Sequence, residues 1–300
     1  MTIDFDKITF KINLITIYRL FKKYILKKKD MCLRKLFGKN DPTKPFEYKP
    51  KTALLFAINN YPGSQNDLNG CIPDQDDLIE ILKEFNQEFA IRNFKDSQVT
   101  VNCFKSELAK AIEALPGVPV VFISDSCYSG SNTRDAPKFK SRFMPNTRIT
   151  YVTKVRNKLF LNENKIGNWL SISGCKEDQT SADAVFDGKY NGACTYALIH
   201  VLRVAKIRKN ELTYSQWVGR GNELLKTNGF TQVMTIEGPD ELKNRIVFND
   251  PCILVHYSGH GTYTNDKDGD ETDGYDEALY LYDGLLLDDD MNKILSKIKY

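Results

Sequence analysis

A cysteine and a histidine, each at the end of an apolar run, are the residues of this chain best placed to do chemistry. Cys127 lies in V-V-F-I-S-D-S-C-Y-S-G (Val120 to Gly130), and His260 in I-L-V-H-Y-S-G-H-G (Ile253 to Gly261). A thiol attacks as the thiolate, so it needs a base or cation close by to ionise near neutral pH. The polar neighbours of Cys127 (Asp125, Ser126, Tyr128, Ser129) neither bury it nor require its volume. Cys103, Cys194 and Cys252 instead lie on apolar faces and read as packing residues. Of three histidines, His200 sits inside a helical pattern beside Leu198, Ile199 and Leu202 and reads as a core or partly buried residue. His256 lies mid-strand and reads as structural. His260 stands between Gly259 and Gly261, which leaves room for a substrate backbone, and the Gly261 N–H can point at a developing oxyanion. Cys127 and His260 therefore read as nucleophile and base.

Carboxylates form the second group. Asp125 stands two residues before the thiol, and residues 266–290 hold eleven of the 39 acidic residues. A solvated loop is the plain reading of such a run. An EF-hand does not fit, because Glu271 occupies the place where that loop needs glycine after three alternating acids. Oxygen ligands drawn from separate segments could still hold Ca²⁺. Zinc is not expected, since no Cys/His group has ligand spacing.

The elements that must position these groups alternate between strand and helix. Thr52 to Ile58 reads as a buried first strand, followed by a loop over 59–74 rich in Asn, Gly and Pro. Leu78, Ile81, Leu82 and Phe85 have helical spacing, Phe89 to Phe94 reads as a strand, and Phe104, Leu108, Ile112 and Leu115 mark a second helix. The Val120 to Ser124 run follows. Residues 131–167 read as a basic loop with one candidate element, Arg148 to Val155. Trp169 to Ser173 is a strand, Ala193 to Val204 and Tyr214 to Leu225 are helices, and Thr231 to Ile236 is a last β-type run. Such alternation predicts a mostly parallel sheet with helices on both faces, and ligands gather at the carboxyl ends of strands in such sheets.

Composition narrows the setting. Within residues 1–51 Lys and Arg outnumber acids 14 to five, although the whole chain carries only +3. The first 30 residues have the spacing of an amphipathic helix. A pro-segment packed on the body, or a partly disordered arm, is the plainer reading, and a membrane-surface or targeting segment the sharper one. Residues 38–50 read as a linker, so residues 1–50 form a basic extension ahead of a body at 51–300. Seven cysteines without framework spacing suit a reducing, cytoplasmic setting. No apolar run is long enough to span a membrane, no secretory signal is evident, and no nucleic-acid partner is expected.

Five motifs together resemble the metacaspases, caspase-related cysteine peptidases: H-Y-S-G-H-G-T (256–262), D-S-C-Y-S-G (125–130), N-Y-P-G (60–63), N-G-C-I-P-D (69–74) and S-G-C-K-E-D-Q-T-S-A-D-A (173–184). The resemblance covers roughly residues 52–300. It implies a caspase-like three-layer α/β/α sandwich, with 51–130 and 249–300 corresponding to the large subunit and about 160–248 to the small one. It further implies a monomer, a Cys127/His260 dyad, and cleavage of protein substrates after Arg or Lys. Asp125, Asp74, Cys71 and Ser258 match positions that line the family's pocket for a basic side chain, and a recessed guanidinium does need carboxylate partners. Asp276, Asp288 and Asp289 match calcium ligands, and Asp135 matches a fourth with a one-residue offset. Self-cleavage is expected within Arg134 to Lys158, a stretch rich in basic residues.

The chain departs from the family in one respect. The histidine strand ordinarily precedes the cysteine strand, whereas here His260 follows Cys127 by 133 positions. Returning residues 249–300 to the seam near Leu115 and Pro116 would restore the usual order. In the order given, the sheet must keep a central slot for a late strand, against the tendency of sequential elements to be neighbours. An inactive caspase-like regulator, or a calcium-binding interaction module, would retain parts of this pattern without peptidase chemistry.

Overall fold

The computed structural model of the chain describes residues 46–85, 89–127, 139–144, 167–176, 179–266 and 274–298. The N-terminal arm, most of the linker, the Arg148 to Val155 segment, Asp135 and the centre of the acidic run lie outside these residues. Residues 48–300 form one compact unit.

Twelve strands occur among the described residues: β1 (Lys51–Ala57), β2 (Ala90–Lys95), β3 (Val120–Asp125), β4 (Lys140–Ser141), β5 (Trp169–Ser173), β6 (Ala182–Phe186), β7 (Lys189–Gly192), β8 (Thr235–Glu237), β9 (Cys252–Ser258), β10 (Gly261–Asn265), β11 (Tyr275–Tyr280) and β12 (Leu285–Leu287). Six of them build the main sheet in the order β2-β1-β9-β3-β5-β8, while β10-β11-β12 and β4-β6-β7 form two smaller sheets. All main-sheet pairs are parallel except β5 with β8.

Side-chain alternation explains the layers. Ala53 and Leu55 of β1, Val121 and Ile123 of β3, and Leu254 of β9 face one core with helices α1 (Cys71–Phe85), α3 (Ala193–Ile207) and α4 (Tyr214–Thr227). Leu54, Phe56, Phe122, Ile253 and Val255 face the other, against α2 (Val101–Ala114) and α6 (Asp288–Leu295); a short α5 (Asp240–Lys243) links β8 to β9. Strands apolar on both faces need cover on both sides, which gives the caspase-like α/β/α sandwich the sequence predicts.

The late strand does take the central slot. β9 lies between β1 and β3, pairing Ala57 with Ser258 on one side and Ser258 with Asp125 on the other. Two parallel strands thus end level, and the residues just beyond them, Cys127 and His260, emerge at the same edge. Chain order is inverted, but strand order in space is what aligns the two ends.

Three expectations need correction. Helix α1 begins at Cys71, inside the stretch read as a loop. Pro73 sits in its first turn, where the missing N–H is not needed for helix bonding. Residues 182–192, to which no element was assigned, form the β6–β7 hairpin. Its turn places Asp187 at φ 50° and Gly188 at φ 80°, the two positive values that a two-residue type I′ turn demands and that Asp-Gly supplies. The β-type run at 231–236 contributes only the short β8. No helix among the described residues is long and apolar enough to cross a membrane.

Candidate active site

His260 is held from behind by the loop after β1. Its backbone N–H donates to Tyr61 Oη at 2.7 Å, the Tyr61 ring lies 4.8 Å from the imidazole centroid, and Tyr257 Oη donates to the His260 carbonyl at 2.8 Å. Nε2 lies 2.7 Å from the Asn66 carbonyl oxygen. A carbonyl only accepts, so Nε2 carries the proton and Nδ1, buried and without a hydrogen-bond partner among the described residues, keeps its lone pair. Burial pushes the His260 pKa down to about 4, with the Asn66 carbonyl opposing that shift. Near neutral pH the imidazole is therefore uncharged and able to accept a proton. Gly259 is needed for close approach: a Cβ there would collide with the Tyr257 and Tyr61 hydroxyls.

Cys127 is fully buried, contrary to the exposure its polar neighbours suggest. Two segments cover it. Its thiol donates to the Ser181 carbonyl at 3.2 Å and receives the Ser181 N–H, and its own backbone N–H donates to the carbonyl oxygen of Arg142 at 3.3 Å. The Gly261 N–H donates to that same oxygen at 2.9 Å. Cys127 and Gly261 thus aim two N–H groups at one carbonyl, the geometry an oxyanion hole requires.

The Arg142 side chain, also fully buried, enters an acid-lined pocket beneath β3 and β9. Nη2 donates to Asp74 Oδ2 at 2.9 Å and Asp183 Oδ1 at 3.0 Å; Nη1 donates to Ser258 Oγ at 2.8 Å and the Asp125 carbonyl at 3.1 Å, and lies 3.3 Å from Asp125 Oδ1. Burial opposes the guanidinium charge, but Asp125, Cys71, Asp74 and Asp183 together hold its pKa well above the usual range. Burial pushes the Asp74 carboxyl up to about 7, with Arg142 pulling it back. Cys71 is buried beside Ser258, and burial raises its thiol pKa far above the ordinary value. Gly192 closes the wall, since a Cβ there would strike the guanidinium and Asp125.

A second set of contacts fixes the pocket acids. Asp125 Oδ1 accepts from Ser181 Oγ at 2.6 Å, and Oδ2 accepts from the Thr195 N–H and hydroxyl, each at 2.8 Å. With its hydrogen spent on Asp125, Thr195 Oγ1 accepts from His256 Nε2 at 3.0 Å. His256 is therefore a buried support of the pocket. Asp74 accepts from the N–H of Gly192 and the amide of Asn191.

Sequence reasoning named Asp74, Asp125, Cys71 and Ser258, and the structure brings all four together around Arg142. It did not name Asp183, Thr195, Ser181 or Asn66. Asp183 had a signal, a lone acid in the apolar strand A-D-A-V-F. Asn66 acts through its backbone, which no residue type reveals. His200, read as core or partly buried, is exposed on α3. Of the expected calcium ligands, Asp276 lies on β11 while Asp288 and Asp289 open α6. Because β11 pairs with β12, which runs directly into α6, the three share one end of that sheet. Among the described residues no three His, Cys, Asp or Glu side chains gather closely enough to hold a metal.

Residues 231–300 match the metacaspase peptidase C14 domain and residues 96–244 the caspase domain. Metacaspase-1 of Schizosaccharomyces pombe is 51% identical over 50 residues, 15% of this chain and 12% of that protein. Metacaspase-1B of Aspergillus niger is 30% identical over 156 residues, 50% of this chain and 31% of that protein. The matched stretches thus span under a third of the length of these relatives. The crystal structure of protein GSU0716 from Geobacter sulfurreducens aligns with TM-score 0.48 at 21% identity, covering 65% of this chain and 97% of that one. Fold and matched domains define a caspase-domain protein. The metacaspase matches, residues 231–300 for the family domain and 50% of the chain for the Aspergillus niger relative, are similarities to that group.

Proposed function

We propose that this chain is a metacaspase-type cysteine endopeptidase that cuts peptide bonds after Arg or Lys. One observation carries the reading: a guanidinium held by Asp74, Asp125 and Asp183 belongs to the same residue whose carbonyl oxygen receives the N–H groups of Cys127 and Gly261. A basic side chain in that pocket delivers its own carbonyl to the nucleophile.

His260 Nδ1 takes the Cys127 proton once the thiol leaves the Ser181 carbonyl, and the thiolate attacks the scissile carbonyl carbon. Negative charge develops on an oxygen already lying between two N–H donors, so little reorganisation is needed. The imidazolium then protonates the departing amine, and water hydrolyses the thioester. Aspartate in this pocket would face three carboxylates, which argues against caspase-type substrates.

Self-processing within Arg134 to Lys158 and calcium dependence belong to the same proposal. Arg142 lies within that stretch, and Asp276, Asp288 and Asp289 share one end of the β10–β11–β12 sheet. The described residues alone do not complete a cation site, so Asp135 and its neighbours would have to add to it; no chemical step is assigned to the ion. All six described cysteines are free, as a thiol enzyme of a reducing, cytoplasmic compartment would have them.

Labelling with an Arg-directed chloromethylketone after calcium treatment tests the assignment. Mass spectrometry should place one adduct on Cys127, abolished in Cys127→Ala. Labelling elsewhere, or none on folded protein, would remove the nucleophile from the proposal.

A further inference from the structure

The residues around Arg142 form more than a plug. Lys140 and Ser141 pair as an antiparallel strand with Asp183 and Ala182 of β6, and the Arg142 N–H continues the ladder to the Ser181 carbonyl at 3.1 Å. Beyond Arg142, Phe143 forms a bridge to Gly261, and the Met144 N–H donates to the Gly261 carbonyl at 2.9 Å. Five consecutive residues therefore cross the site with main-chain bonds before and after it, the way an extended peptide adds to a sheet edge.

Side chains on both flanks also find partners. Lys140 Nζ donates to the carbonyls of Gln65 and Asp67, which flank the Asn66 carbonyl that orients His260. Phe143 stacks on Tyr263 at 5.7 Å with 21° between the ring planes. An arginine kept only for packing would need the carboxylates alone. It would need neither its carbonyl between the Cys127 and Gly261 N–H groups nor ladder bonds on each side.

We propose that residues 140–144 are a built-in substrate strand that blocks the site of the uncut chain, that Arg142–Phe143 is the first bond the chain cuts, and that the cleft prefers Lys two residues before the cleaved Arg and an aromatic residue after it. The proposal rests on the peptidase reading. Cys127 Sγ bonds to the Arg142 carbonyl carbon as the Arg142–Phe143 C–N bond breaks, and the Phe143 nitrogen takes the proton from His260. Water then adds OH to the acyl carbon and returns hydrogen to sulfur, leaving a carboxyl at Arg142, an amine at Phe143 and a free thiol. Once cut, each half of the strand is held on one side only, and the pocket opens to other chains.

The full chain with millimolar Ca²⁺, sampled over time by N-terminal sequencing and intact mass, tests this. The earliest fragments should end at Arg142 and begin at Phe143, with none from Cys127→Ala. Arg142→Ala should lose this cut; because it leaves three buried acids without their cation and could fail to fold, Phe143→Ala serves as a second variant and should slow the cut several-fold. In trans, a peptide of sequence FKSRFMPN should be cleaved between Arg and Phe, with kcat/KM falling about tenfold when that Phe or the Lys becomes Ala. Hydrolysis of an Arg peptide without any fragment beginning at Phe143 would overturn the strand proposal and leave the peptidase standing. Indifference of the peptide to both flanking changes would overturn the flanking preference. Failure to cut either itself or a peptide would overturn both readings.

Discussion

The Asn66 carbonyl oxygen lies 2.7 Å from His260 Nε2, and that contact decides which imidazole nitrogen can act as the base. The loop carrying Asn66 also carries Tyr61, whose hydroxyl accepts the His260 N–H. Loop and histidine strand are thus tied at two points.

Tyr61→Phe cuts one tie. It leaves the buried His260 N–H without its acceptor, at a cost of about 1–3 kcal/mol. Thermal melting should fall accordingly, and kcat should drop more than KM rises, because the imidazole loses its placement while the acid pocket is untouched. A fall confined to KM would show that Tyr61 does not position the base.

The pocket can be closed or discharged separately. Gly192→Ala places a methyl group where the guanidinium sits, so Arg hydrolysis should nearly vanish. Asp183→Asn keeps the shape but removes one charge partner. Breaking a buried pair costs about 3 kcal/mol or more, which corresponds to a loss of about 10²-fold in kcat/KM for Arg peptides. Melting curves for both variants report whether folding survives. Unchanged kcat/KM for Asp183→Asn would remove Asp183 from recognition.

His256 links the pocket to pH. Burial lowers its pKa from 6.5 to about 4, with Asp125 opposing that shift and Arg142 adding to it. The unfolded chain therefore takes up a proton that the folded chain refuses. Stability is complete above pH 6.5 and is lost as pH falls towards about 4, by about 3 kcal/mol for this group. Asp74, with its pKa raised to about 7, works in the opposite direction, since the folded state binds its proton more tightly. Comparing His256→Gln with the parent cancels that contribution. The melting-temperature difference in favour of the parent should widen as pH rises from about 4 to 6.5 and level off above it, and a difference that stays constant across this window would contradict the assignment.

Calcium removal supplies a test of the acidic segment. Chelation should abolish hydrolysis, and Asp276→Asn and Asp288→Asn should each raise the Ca²⁺ concentration needed for half-maximal rate by tenfold or more. Direct Ca²⁺ titration calorimetry on Cys127→Ala separates binding from catalysis. Full activity in chelator would remove the metal from the proposal.

Much of this was legible in the sequence because it resides in side-chain type and period. Val120 to Ser124 and Ile253 to Tyr257 are apolar without alternation, which only a strand covered on both faces tolerates. Cys127, His260 and Asp125 could be named because a thiol, an imidazole and an acid at strand ends have few structural uses, whereas Asp74, Cys71 and Ser258 were named from the family resemblance alone. Asn66, and Ser181 in its cover of the thiol, were not legible, since there each acts through backbone atoms that any residue carries. The β6–β7 hairpin was marked by Asp187-Gly188, in a stretch between the 173–184 motif and the next helix to which no element was assigned. The burial of Cys127 could not be read locally at all, because its cover comes from Arg142 and Ser181, 15 and 54 positions away.

The central claim is that Cys127 cuts after a basic residue gripped by Asp74, Asp125 and Asp183. The most direct measurement is kcat/KM for matched fluorogenic Arg and Asp peptides, with calcium-treated wild type and Cys127→Ala. Hydrolysis of the Arg peptide that disappears in Cys127→Ala, with the Asp peptide untouched, is the predicted result. Preference for Asp, or Arg hydrolysis that survives loss of the thiol, would contradict it.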